Sequence, residues 1–91
     1  MTLTPEQSQL LRDGILSVLA RSPKGGATAR TVCMSVRSMG YEYSDQTVGE
    51  NIDALTTYGF VGTERSATAP GLVLVKLTAT GLKEVETRNL G

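Results

Sequence analysis

Gln46, Glu50, Asn51 and Asp53 fall within one short stretch, with Gly49 among them. A carboxamide donates and accepts at once, which is the pattern that reads adenine in the DNA major groove. A carboxylate can accept from cytosine N4, but it also meets the phosphates that line a duplex. No Lys or Arg occurs between Arg37 and Arg65, so this stretch brings no positive charge of its own. The residue types therefore suit either a groove-reading surface or a solvated acidic one. Gly49 would allow close approach of backbone to a ligand, at a helix-propensity cost of about 1 kcal/mol.

Other chemistry is poorly supplied. The chain has no histidine, which removes Ser–His and Cys–His catalytic pairs and any His-containing metal site. Cys33 is the single cysteine, so neither an intramolecular disulfide nor a thiolate zinc cluster can form, and a small buried hydrophobe is expected there. Lys24-Gly25-Gly26 reads as a turn, and no phosphate-binding or dinucleotide fingerprint is present. No enzyme, cofactor or metal is expected.

Ninety-one residues suffice for one domain, taken as residues 1–91, with a core of Leu, Val and Ile because aromatics are scarce and Trp is absent. Nine basic and nine acidic residues cancel, which argues against a surface that grips nucleic acid everywhere. The distribution is uneven. From Arg12 to Arg37 the chain carries Arg12, Arg21, Lys24, Arg30 and Arg37 against Asp13 alone, whereas from Glu42 to Asp53 it carries Glu42, Asp45, Glu50 and Asp53 without a base. No apolar run reaches membrane-spanning length and no signal peptide opens the chain, so a cytoplasmic protein with no membrane partner is expected.

The elements that must position these residues follow from caps and periodicity. Thr4-Pro5-Glu6-Gln7 reads as a helix start with a capping box, and Leu11, Ile15, Val18 and Leu19 form its inward stripe. Ser22 to Gly26 should be a flexible turn. A second helix is expected from about Ala29 to Met39, capped by Thr28, with Val32, Val36 and Met39 inward and Gly40 as terminator. Ser44 caps a third helix with Val48, Ile52 and Leu55 inward, closed by Gly59. Phe60-Val61 reads as a short strand, "GTERSATAPG" as a polar loop, and Leu72 to Leu77 as a returning strand. Thr78 caps a last helix with Leu82 and Val85 inward. Three helices, a strand, a loop, a strand and a helix make a mainly α fold with a small β-wing: a winged helix-turn-helix.

Three segments resemble the small winged-helix proteins of Mu-like transposable prophages: "ILSVLARSP" at Ile15–Pro23, "GYEYSDQTVGENIDALTTYGFV" at Gly40–Val61, and "VLVKLTATGLKEV" at Val73–Val85. The second ends in Leu-x-x-x-Gly-apolar-Val, and the third contains Leu-Thr-x-x-Gly, both shared with winged-helix regulators of the MarR type. The resemblance implies a winged helix and a phage-encoded protein in the host cytoplasm. Family members tend to place Arg just after the helix-three cap and a turn later. Here Asp45 and Gly49 stand at those positions.

The expected DNA-contacting set is Thr28 and Arg30 at the start of helix two, where free amides favour phosphate, Ser44, Gln46, Thr47 and Asn51 on helix three, and Arg65 in the wing loop. Thr31, Arg37 and Lys76 are further candidates. Leu10, Leu16 and Met34 point away from their helices' main stripes, which suggests contact with the last helix or a homodimer seam matched to a symmetric DNA site. The function expected is a phage or prophage transcriptional regulator or DNA-organising factor, dimeric, acting on double-stranded DNA. An alternative is a protein-interaction module whose acidic helix-three face, with Glu50 and Asp53, docks a basic partner in transcription or phage assembly. A small-molecule-sensing repressor is a third.

Overall fold

The computed structural model describes residues 3–65 and 72–90. Helix α1 (Pro5–Arg21) starts as its sequence requires: Gln7 N donates to Thr4 Oγ1 (3.1 Å) and Thr4 N donates back to the Gln7 side chain (2.9 Å). A single 3-10 turn (Pro23–Gly25) leads into strand β1 (Gly26–Thr28), then helix α2 (Ala29–Ser38) and helix α3 (Asp45–Thr57). Strands β2 (Val61–Arg65) and β3 (Val73–Leu77) follow, and helix α4 (Ala79–Arg88) completes a winged helix-turn-helix. Among the described residues no helix is long and apolar enough to cross a membrane.

The turn expected at Ser22–Gly26 is present as the 3-10 turn Pro23–Gly25, and the difference is strand β1, which takes up Gly26 and continues to Thr28. The sheet is antiparallel in the order β1-β3-β2, with Ala27 opposite Val75 and Thr63 opposite the same residue from the other side. Three residues containing a glycine are too short to show alternation, and only the open edge of β3 makes them a strand. The loop expected from Gly62 onward is also shortened, since β2 continues to Arg65 by pairing with Val73. The rest of that loop lies outside the described residues.

Helix α1 is the hub, packed against α2, α3, α4 and β3. Being covered on several sides, it buries Leu11, Ile15, Leu16, Val18 and Leu19 rather than one stripe. Leu16 is 1% exposed; the dimer seam expected there is corrected, because this residue belongs to the core. Val32 and Val36 of α2, Val48, Ile52 and Leu55 of α3, Val61, Val75 and Val85 complete the core. Two inward assignments fail. Met39 is the C-cap of α2 and remains exposed, its sulfur against the Arg21 guanidinium. Leu82 is exposed because α4 turns Gly81 and Val85 inward instead.

One joint accounts for both sequence motifs. Gly59 takes φ +83° after α3, a left-handed conformation that glycine adopts without a Cβ penalty. The chain then places the Gly59 and Phe60 carbonyls against the start of α4. Thr78 Oγ1 donates to Gly59 O (2.6 Å), Thr78 N donates to Phe60 O (3.0 Å), and Thr78 Oγ1 accepts from Gly81 N (3.0 Å). A Cβ on Gly81 would lie 1.9 Å from Phe60 O. The Leu-Thr-x-x-Gly and Leu-x-x-x-Gly-apolar-Val patterns are thus two sides of one packing contact, which positions the wing relative to α3.

Candidate nucleic-acid interface

The starts of α2 and α3 are built alike. Thr28 Oγ1 accepts from Thr31 N (3.2 Å) and donates to Thr31 Oγ1 (2.9 Å). Ser44 Oγ accepts from Thr47 N (3.2 Å), and the two hydroxyls lie 3.0 Å apart. Thr28 and Ser44 therefore spend their hydroxyls on capping. In the first pair the proton left for an outside acceptor belongs to Thr31, which is exposed. Sequence reasoning placed Thr31 behind Thr28. The hydrogen-bond direction reverses that order.

On α3, Gln46, Glu50, Asp53 and Thr57 are exposed, as the helical period predicts. Asn51 is not. It is 8% exposed, and its Nδ2 donates to Thr47 O at 2.9 Å. The expectation that Asn51 reads a base is corrected: on the flank between the inward and outward faces, its amide returns to its own helix.

The register of the wing decides which of its side chains share a surface with α3. Side chains alternate across a sheet, and directly paired residues lie on the same face. Arg65 pairs with Val73 and Thr63 with Val75. Thr63, Val73 and Val75 also line a groove of about 360 Å³ beside Gln46, Glu50 and Asp53. Arg65 is thus on the sheet face that carries α3. Glu64, paired with Leu74, and Lys76, paired with Gly62, are on the other. Lys76 is thereby removed from the candidate positive points near α3, and an acidic residue is removed with it.

A second groove, of about 680 Å³, separates α2 from α3 and is lined by Arg30, Cys33, Met34, Arg37, Asp45 and Gly49. Gly49 and Ile52 border both grooves. A Cβ on Gly49 would meet nothing within 4 Å, so packing does not require glycine there. Cys33 is buried; burial first, and then the Asp45 charge, push its thiol up from its ordinary value, against the opposing pull of Arg37. It stays a protonated core thiol. Met34 faces this groove with 60% exposure, while Leu10 is exposed on α1 and is not part of the groove lining.

Asp45, which in sequence looked like a repulsive charge at the head of α3, is ion-paired with Arg37 across the connection from α2. The pair brings no net charge to the surface. Arg30 and Arg65 are exposed on either side of α3, while Glu50 and Asp53 are the acids that α3 itself adds.

The chain matches no family model and no curated protein. Solved structures do resemble it. An apo-form mutant of Lactococcus lactis ZitR superposes with a TM-score of 0.74 at 17% identity, covering 92% of this chain and 58% of that one. A second ZitR mutant gives 0.73 at 17% identity over 98% of this chain and 52% of that one. A transcriptional regulator from Clostridium thermocellum, Cth-833, gives 0.65 at 14% identity over 97% and 85%. The chain thus spans little more than half the length of the ZitR chains. At these identities the likeness shows the winged-helix fold.

Proposed function

We propose that this protein is a winged-helix DNA-binding protein that acts as a transcriptional regulator or DNA-organising factor of a phage or prophage, and that it is not an enzyme. The observation that carries this reading is the sheet register: it gives Arg65 to the face shared with α3 and turns Glu64 away. In this arrangement α3 enters the major groove with Gln46 leading, Arg30 and Thr31 at the start of α2 take phosphate, and Arg65 takes backbone or minor-groove contacts from the wing. Thr28, Ser44 and Thr47 order the two helix starts. The likeness to a transcriptional regulator supports the same class of partner. Leu10 on α1 and Leu82 on α4, both exposed, leave a two-fold pairing through those helices within the proposal.

A mobility-shift titration against phage DNA, begun at low salt, tests it. Arg30→Ala and Arg65→Ala should each weaken binding across sequences and reduce the salt slope by roughly 0.9. Gln46→Ala should instead relax discrimination between sequences. No shift at low salt, or binding indifferent to salt, rejects the proposal.

A second reading is favoured by one observation. The groove between α3 and the wing has an apolar floor, including Val75 and Ile52, and its rim carries Glu50 and Asp53. That combination suits a cationic protein segment. Charge reversal at Glu50 and Asp53 separates the two: it should strengthen DNA binding under the first reading and abolish partner capture under the second.

A further inference from the structure

We propose that Asp45 holds Arg37 in reserve, as an intramolecular stand-in for a DNA phosphate, and so sets the affinity and salt dependence of the interface; this rests on the DNA-binding reading above. Arg37 lies in the last turn of α2 and Asp45 is the first residue of α3, directly after the Ser44 cap. Their ion pair therefore spans the connection between the two helices, and both residues line the α2–α3 groove. Both partners remain accessible, with side chains 45% and 74% exposed.

Position makes this pair unlike an ordinary surface ion pair. A helix start is where backbone amides and the helix dipole favour an anion, and a carboxylate already occupies that place. No other Lys or Arg exists between Arg30 and Arg65, and Arg37 is the guanidinium paired with Asp45, while Arg30 lines the same groove from the start of α2. A guanidinium accepts carboxylate or phosphate through the same planar fork. An exposed pair of this kind is weak in water, so a duplex with its dense phosphate charge can displace the carboxylate. The cations released on binding are those condensed on the DNA, and the Arg37–Asp45 pair adds no net positive charge. When Arg37 moves to a phosphate, the freed Asp45 carboxylate therefore retains a cation near the duplex, and little net release results. Asp45, once displaced, faces phosphate. Both effects lower affinity and flatten the salt dependence.

The inference differs from simple bulk repulsion because it requires coupling between two named residues. The experiment measures binding to a phage DNA fragment over a salt series for the wild type, Asp45→Asn, Arg37→Ala and the double variant, with Asp53→Asn as a control. Asp53 carries the same charge on the same helix, and far-UV spectra establish that each variant folds. Asp45→Asn should tighten binding roughly five- to tenfold at low salt and steepen the salt slope by roughly 0.9, the increment for one further phosphate contact. In the Arg37→Ala background the same substitution should do no more than Asp53→Asn does. Equal effects of Asp45→Asn with and without Arg37 would make Asp45 a bulk charge and overturn the inference. So would weaker binding by Asp45→Asn, which would mean that the pair orients α3. Both outcomes leave the DNA-binding reading standing. Absence of a shift for every protein at low salt rejects that reading itself, and this inference with it.

Discussion

Gly49 and Gly81 are both glycines within helices, and their neighbours give them opposite meanings. Gly81 is required by the Phe60 carbonyl, which occupies the space a Cβ would need. Gly81→Ala should destabilise the fold by about 3 kcal/mol, since the obstacle is backbone and cannot swing aside. At Gly49 nothing lies within 4 Å of a Cβ, and Gly49→Ala should stabilise by about 0.5–1 kcal/mol through reduced backbone entropy in the unfolded chain. Thermal unfolding of the two variants checks the pair of signs. A loss of DNA affinity in the stabilised Gly49→Ala protein would show that the open surface between the two grooves is used for binding. Asn51 and Gln46 differ in the same way. Both carry a carboxamide, but only Gln46 has an exposed one.

At the level of elements, the caps are local and were legible from the residues alone. Thr4, Thr28, Ser44 and Thr78 each accept from an amide three residues on, as the capping pattern predicts. Thr78 does more than cap. Its hydroxyl also holds Gly59 O, so it joins the end of α3 to the start of α4. Thr78→Ala should therefore cost about 2 kcal/mol, at the upper end for a helix cap, and Thr4→Ala only about 1 kcal/mol. Equal losses by denaturant unfolding would show that the tie to Gly59 contributes nothing. Strand β1 was not legible, because Gly26-Ala27-Thr28 is a strand only by virtue of the edge that β3 presents. The extension of β2 to Arg65 has the same origin.

The whole molecule is organised around α1, whose several contacts explain why Leu16 joined the core although it falls off the main stripe. The last helix is tied to the middle of the first: Arg88 of α4 donates to both oxygens of Asp13 of α1, each at 2.9 Å. The pair is partly exposed, with side chains 37% and 21% accessible, so solvent screens much of its Coulomb attraction. Asp13→Asn should lower stability by only about 0.5–1 kcal/mol, and the loss should shrink in molar salt. A loss that persists in high salt would point to packing. The dipolar charge pattern seen in the sequence is partly cancelled at this scale, since Asp45 of the acidic stretch answers Arg37 of the basic one.

What the sequence determined by itself was the set of local instructions: which residues cap, about where each helix begins and ends, the order of the helices and of the two wing strands, and the inward Val32, Val36, Val48, Ile52 and Leu55 of α2 and α3. These depend on interactions within about four residues, so they survive reading one segment at a time. Tertiary structure alone decided that Asp45 meets Arg37, that Asn51 is buried, that Leu16 is core, and that Arg65 rather than Glu64 or Lys76 shares a face with α3. Each of these depends on strand register or on how helices pack, and a shift of a single residue in register would exchange the faces.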